Sequence, residues 1–429
     1  MDIYEIALIF NSTGIAFFAV NTWVGLVVLI IGYAQLAFYI VLSQVYEYRK
    51  KNLKTSRIKL NLPKVSVLIS AYNEEKVIET CVRSVLASKY APIELIIVDD
   101  GSTDLTPIIL DSLAKTMKIL VVHKKNGGKA NGLNTALKFA TGSVIVTMDA
   151  DTSLSPLAIR KMVEHFSNPR VGAVCGYDIP SNANNWLVKL LMLSSHVSTG
   201  LVRRSLSIID CIMVVNFGAF RADVLRKAGK YAQTIGEDFE MTLRIHKLGY
   251  RIEFEPEAIA KSESPSSLRV LWNQRIRWFR GYLHGIRMHK DMLFRSKFGL
   301  FLVYNFIANV IFPWFLFIAF LIFIGAVLTV QGFGLSLTIN TLYLIISFFG
   351  LIPSFLVVCY SLWLDHNFNR YSPFLAVFPM WILYSLFLDL VCMKAMIMEL
   401  TGAERKWVPW VKKGDQKKFL EARINSIKI

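Results

Sequence analysis

Cysteine and histidine are scarce in this chain. Cys81, Cys175, Cys211, Cys359 and Cys392 show no C-x-x-C spacing, and seven His form no ligand pattern. Neither a disulfide framework nor a structural zinc site is expected, and the thiols should be reduced. Charge is short as well: Asp, Glu, Lys and Arg make up 18% of the 429 residues, with 31 acids against 48 bases. The amino end lacks a basic flank, since acidic Asp2 and Glu5 precede the apolar stretch Trp23 to Tyr46, and no small-residue cleavage site follows it. An anchor rather than a cleaved signal peptide is therefore expected.

Apolar residues are what the chain has in excess: 54% of the sequence, with 29 Phe and 9 Trp. They are segregated. Trp23 to Tyr46, Asn305 to Val330, Leu342 to Leu364 and Phe374 to Leu400 are each long enough to cross a bilayer, the last carrying Asp389, Lys394 and Glu399. Between them, Lys50 to Ser264 has the mixed pattern of a soluble α/β domain. The expected division is a membrane anchor over residues 1–48, a cytoplasmic α/β domain over 49–264, interfacial amphipathic helices over 265–298, transmembrane helices over 299–400 and a basic cytoplasmic tail over 401–429.

The formal charge of +17 is concentrated: residues 47–64 carry seven Lys/Arg against Glu47 alone, and residues 265–297 carry eight against Asp291 alone. Because these runs abut apolar spans, the positive-inside rule and anionic headgroups explain them better than nucleic acid does. This puts the central domain in the cytoplasm of a multi-pass plasma-membrane protein with membrane lipids as partners. Three plain spans after the anchor would leave the basic tail outside. Phe298 to Val330 is longer than one crossing needs and holds Pro313, so a division there would return the tail, with Trp407 and Trp410 at the interface, to the cytoplasm.

In the soluble segment, VSVLIS (65–70) is followed by AYNEE (71–75) and a helical pattern. IELIIV (93–98) ends in Asp99 and Asp100, and SVIVTM (143–148) ends in Asp149, Ala150 and Asp151. Strand, turn and helix repeated in this way predict a doubly wound, mostly parallel sheet, which binds ligands at the carboxyl ends of its strands. Asp149 and Asp151 flank a small residue, so the chain can aim carboxylate oxygen at a hard divalent cation shared with a diphosphate; a solvated turn is the plain alternative. The basic glycine loop Lys124 to Lys129 is fit to meet phosphate. Glu237 and Asp238 open a helical pattern, where acids suit the dipole. Gln274, Arg277 and Trp278, at i, i+3 and i+4, share one helix face. Around them Arg269, Arg275, Arg280 and Arg287 alternate with Leu271, Trp272, Ile276, Phe279 and Tyr282, as in a helix lying at a membrane surface, where Arg275 and Arg280 would serve headgroups.

Taken together, AYNEE (71–75), VDDGSTD (98–104), GKANGLN (128–134), Asp149-Ala150-Asp151, Gly236-Glu237-Asp238 and QRIRW (274–278) resemble the family 2 inverting glycosyltransferases, in particular the membrane-embedded processive synthases of the cellulose, hyaluronan and poly-N-acetylglucosamine type. The resemblance covers about Val65 to Arg280. It implies a GT-A type fold and transfer of a hexose or N-acetylhexosamine from a UDP-sugar to a polysaccharide. Tyr72, Glu74 and Asp100, or Asp99 in its place, would hold uracil and ribose, and Lys129 would lie near the nucleotide. Asp149 and Asp151 would border the diphosphate, Asp151 being the direct ligand of Mg2+ or Mn2+. Asp238, with Glu237 beside it, would be the general base, and Gln274, Arg277 and Trp278 would form the acceptor end. With about four clear spans and no carboxy-terminal β-barrel, an export channel would be small or shared with an accessory subunit. Transfer of one sugar to a lipid, as in the ceramide glucosyltransferases, is the rival enzymatic reading. A non-catalytic nucleotide-sugar-binding scaffold or a transporter subunit is the rival outside that class.

Overall fold

Apolar residues on both faces decide how the first strands pack. In β1 (Val65–Ala71), Val65, Val67 and Ile69 enter one hydrophobic cluster and Leu68 enters another across the sheet. Burial on both faces requires the nearly continuous apolar runs found there. The computed structural model describes residues 30–52, 62–214, 216–311, 313, 314, 317 and 351–404.

The other strands are β2 (Ile93–Asp99), β3 (Leu120–His123), β4 (Val144–Asp149), β5 (Ser153–Leu154), β6 (Val171–Pro180), β7 (Gly218–Arg221) and β8 (Arg251–Ser262), in one sheet of order β3-β2-β1-β4-β7-β6-β8-β5. β1 to β4 pair in parallel, β7 is antiparallel to β4 and β6, β6 and β8 are parallel, and β5 is antiparallel to β8. Two reversals restore direction, so β6 and β8 run with β4. The carboxyl ends of β1, β2, β4, β6 and β8 therefore share one edge of the sheet.

Helix α1 spans 30–52. It is followed by α2 (Ile78–Leu86), α3 (Thr106–Thr116), α4 (Lys129–Phe139), α5 (Ala158–Val163), α6 (Trp186–Ser195), α7 (Val202–Ile208), α8 (Ala222–Ala228), α9 (Glu237–Lys247), α10 (Leu268–Met288) and α11 (Lys297–Phe306). Helix α12 spans 351–364, and α13 is Trp381–Leu400. α2 covers one face of the sheet and α4 the other, which is the doubly wound arrangement.

Among the described residues, the helical stretch Phe368–Leu400 is long and apolar enough to cross a membrane, and Leu383, Leu386 and Leu390 are exposed along it. Lys297–Ile311 and Leu351–Leu364 are shorter apolar helices. The expected spans 305–330 and 342–364 are described only in part, and Trp23 to Tyr46 only from residue 30. Most of the segment around Pro313, and the tail with Trp407 and Trp410, lie outside the described residues. All five cysteines are free thiols.

Candidate active site

Strand ends carry the site. Asp99 closes β2 and Asp149 closes β4 on either side of β1, where they register against Ala71 and Ser70. The Asp100 carboxylate, almost wholly buried, accepts N–H bonds from Gly127 at 3.1 Å and Gly128 at 2.7 Å and pairs with Lys124. Asp99 accepts from the Ser102 N–H at 3.0 Å and faces His123 Nδ1 at 2.9 Å; His123 in turn reaches Asp111. The bond to Asp99 raises the His123 pKa above its ordinary value. Both acids are thus engaged by the chain itself, and Asp100 holds the basic glycine loop in place. Gly101 has φ +77°, and a Cβ there would stand 2.7 Å from the Asn126 nitrogen, so the turn requires glycine. Tyr72 and Glu74 lie half-buried in the turn after β1, where the Glu74 N–H donates to Thr106 Oγ1 at 2.8 Å.

Lys129, the first residue of α4, bridges the two halves of the site, standing 2.7 Å from Asp149 and 2.9 Å from Glu237. Burial works to lower its pKa, but Asp149, Glu237 and Asp238 outweigh burial and hold the amine well above its ordinary value. Asp238 lies in the first turn of α9 and lines the same pocket as Lys129, Asp149 and Asn216. Burial, helped by repulsion from Glu237, raises its pKa to about 6, against the pull of Lys129 and the N–H of Phe239.

α10 runs alongside α9. A Cβ on Gly281 would be 3.2 Å from Gly236 Cα and one on Gly285 would be 2.7 Å from the Phe239 ring; farther on, His289 meets Glu240 at 2.9 Å. Positions 274, 278, 281 and 285 form one stripe at the helical repeat, so Gln274 and Trp278 extend the contact stripe past the amino end of α9. One turn of helix separates Trp278 from the place where Gly281 abuts Gly236, two residues before Asp238. Trp278 is 40% exposed, and Gln274 and Arg277 are half-buried.

Two expectations for this helix need correction. Arg280 does not face headgroups: it is buried, donates to Glu399 at 2.7 Å and to the carbonyls of Ala403 and Glu404, and so fastens α10 to the end of α13. Arg275, expected at headgroups, instead stacks its guanidinium over the Trp278 indole at 4.2 Å. Trp272, half-buried, packs edge-on against Phe387 of α13. Arg269 and Arg287 remain exposed.

Residues 66–229 match the family model described as Glycosyl transferase family 2. This segment is a family 2 glycosyltransferase domain. The chain is also 30% identical over 257 residues to the poly-beta-1,6-N-acetyl-D-glucosamine synthases of Staphylococcus aureus and Staphylococcus epidermidis, covering 57% of this chain and 62% of theirs. The match therefore spans somewhat under two thirds of those relatives. Among solved structures, a mannosyltransferase from Pyrobaculum calidifontis in complex with GDP-Man and Mn2+ superposes with a TM-score of 0.58 at 20% identity, over 88% of this chain and 99% of that one. The GT-A type fold is shared.

Lys129 and Asp149, inside the matched segment, and Glu237 and Asp238, beyond its end at residue 229, come together in one pocket, while Asp100 supports the adjoining glycine loop. Asp151 is buried beside the Thr152 hydroxyl, at 3.3 Å. Among the described residues, no group of three or more His, Cys, Asp or Glu side chains is arranged to hold a metal ion. Sequence reasoning missed Asp178 near the end of β6, which accepts from Asn216 Nδ2 at 3.2 Å and Ser262 Oγ at 2.9 Å. Burial raises its pKa to about 6, the two hydrogen bonds oppose the rise, and Asp151 adds to it. The acid in YDIP (177–180) was a visible signal, but recognising it required knowing that β6 ends on the same edge as β4.

Proposed function

We propose that the chain is a membrane-bound inverting glycosyltransferase that moves a hexose or N-acetylhexosamine from a UDP-sugar to a polysaccharide acceptor. The observation that carries this reading is Asp238. It is a carboxylate of raised pKa, in a pocket with Lys129 and Asp149 at the carboxyl edge of the sheet, two residues past Gly236, against which Gly281 of α10 packs. A base poised near 6 is ionised at neutral pH yet able to take a proton.

In this reading the acceptor hydroxyl gives its proton to Asp238 as its oxygen forms the new bond to the anomeric carbon. The bond from that carbon to phosphate oxygen breaks, and the electron pair leaves with UDP. A single displacement inverts the centre and needs one base, unlike the paired carboxylates of retaining hydrolases. Glu237 keeps Lys129 charged and placed at the edge of the pocket. Gln274 and Arg277 approach the diphosphate, and Trp278 stacks on an acceptor ring.

The donor chemistry fits a hard divalent cation, Mg2+ or Mn2+. Asp149 and Asp151 supply carboxylate oxygen on either side of Ala150, and such ions take one or two carboxylates with the remaining positions filled by phosphate and water. Bound there, the cation would neutralise charge growing on the leaving diphosphate. The synthase relatives support a glycan acceptor and an N-acetylglucosamine donor.

A lipid acceptor is the second reading. It is favoured by the packing of α10 against α13, part of an apolar stretch long enough to cross a membrane, which would put the acceptor end of the site beside lipid. The experiment supplies purified protein in lipid with radiolabelled UDP-N-acetylglucosamine, with and without chelator. Label in high-mass glycan, lost on chelation and restored by Mg2+ or Mn2+, supports the proposal. Label that extracts with lipid supports the second reading, and no incorporation from this donor, UDP-glucose or GDP-mannose contradicts both.

A further inference from the structure

At the carboxyl edge, the strand order β4, β7, β6, β8 sets polar residues in a row. Asp149 closes β4, Asn216 stands just before β7, Asp178 lies two residues from the end of β6 and Ser262 ends β8. β5 then pairs Ser153 with Lys261, so the chain leaving Asp149 crosses to the β8 side and takes Asp151 with it. Asp151 and Arg203 come near enough for their charges to act on Asp178. From the other direction, Asn216 joins Asp178 to the base: its side-chain amide donates to Asp178 at 3.2 Å and its backbone N–H approaches Asp238 Oδ2 at 3.5 Å. Asp178 thus stands between the candidate cation ligand and the candidate base.

In a single displacement the transferred sugar ring occupies that interval, with the leaving diphosphate on one side and the attacking hydroxyl on the other. We propose that Asp178 receives hydroxyl groups of the transferred sugar and is a specificity-determining residue for the donor. This rests on the glycosyltransferase reading above. The carboxylate is held at both oxygens, by Asn216 and by Ser262, and each oxygen keeps a second lone pair able to accept from a sugar hydroxyl. Asn216 is kept at φ +52°, a left-handed conformation that costs energy outside glycine and persists where its surroundings enforce it. Alternation along β6 turns the neighbouring Tyr177 to the opposite face, where it bonds His196 at 2.7 Å, so the side chain of Asp178 stands apart from that buried network and meets Asn216, which lines the pocket.

The test uses the full chain in lipid and compares Asp178→Asn with the parent by titrating UDP against UDP-N-acetylglucosamine, with GDP against GDP-mannose as a second pair. UDP lacks the sugar, so its affinity should stay within about twofold. The sugar nucleotide should bind roughly tenfold more weakly or worse, as expected for a lost bond to a charged acceptor, and the ratio of kcat/KM between UDP-N-acetylglucosamine and UDP-glucose should move toward one. Equal weakening of UDP and its sugar conjugate, or no change in either, overturns the assignment while leaving the transferase reading intact. A parent protein that binds neither pair overturns both. Should Asp178→Asn fail to fold, Asn216→Gly decides: it suits the left-handed backbone, keeps the N–H toward Asp238 and frees one oxygen of Asp178. Unchanged donor selectivity in Asn216→Gly contradicts the proposal.

Discussion

Burial pushes Lys129 and Asp238 toward their neutral forms, and their neighbours decide what each becomes. Lys129 has three acids around it and stays charged, whereas Asp238 has Glu237 beside it and rises to about 6. Two outcomes follow from Asp238. As base it must be ionised, so kcat/KM should fall about tenfold per pH unit below about 6, read from initial rates across pH 4.5 to 8. Its folded pKa lies above the ordinary 3.8, so the folded state holds the proton more tightly. Its contribution to stability is therefore greatest below that ordinary value and is lost as pH rises through the folded one. Asp238→Asn should accordingly melt no lower than the parent at pH 7, and a large fall in Tm would show that the carboxylate is structural. The acids that end β2 and β4, and the pair opening α9, were legible because apolar runs point to them. Asp178 was not, because its importance depends on two antiparallel reversals that no local pattern encodes.

At the scale of elements, α9 and α10 cross closely, which fixes the α10 stripe of Gln274 and Trp278 relative to the first turn of α9 that carries Asp238. A Cβ on Gly281 would meet Gly236 Cα at 3.2 Å and the Ile235 carbonyl at 3.3 Å. Both neighbours are backbone, so the helices must part. Gly281→Ala should cost about 1–3 kcal/mol in stability, as overpacking does, and lower turnover more than it weakens UDP binding; unchanged kcat would mean that the crossing does not position the base. Arg275 stacked on Trp278 makes a second case. Arg275→Ala should impair acceptor use in the same sense as Trp278→Ala but less strongly, since a partly exposed cation–π contact is worth about 0.5–1 kcal/mol. The i, i+3, i+4 spacing gave the shared face of α10, but spacing alone cannot say which arginines meet water. Arg280 was read as a surface residue because its partners, Glu399 and two carbonyls, lie more than a hundred residues away. β5 and β7, at two and four residues, were too short for period-two alternation to register.

For the whole molecule, a buried ionic node ties α1 and the end of α12 to α7 and β6. Arg204 on α7 donates to Asp365, just past α12, at 2.6 Å and to Glu47 on α1 at 2.8 Å, and Asp365 also meets His196 and Tyr177. Removing one partner of a buried pair leaves the other uncompensated. Arg204→Met should therefore destabilise by about 3–5 kcal/mol, visible as a lower melting temperature in lipid or detergent; an unchanged melting curve would show that the node carries little. The doubly wound centre of the molecule was readable from strand, turn and helix, whereas this node joins four distant segments and has no signature in any of them. The central claim, that Asp238 is the base of a nucleotide-sugar transferase, is tested most directly by measuring label incorporated from UDP-N-acetylglucosamine by the parent and by Asp238→Asn, with UDP affinity determined on the same preparations. The account predicts that Asp238→Asn binds UDP within about twofold of the parent and loses at least the ~10²-fold in turnover typical of general-base removal; near-normal incorporation by Asp238→Asn would contradict it.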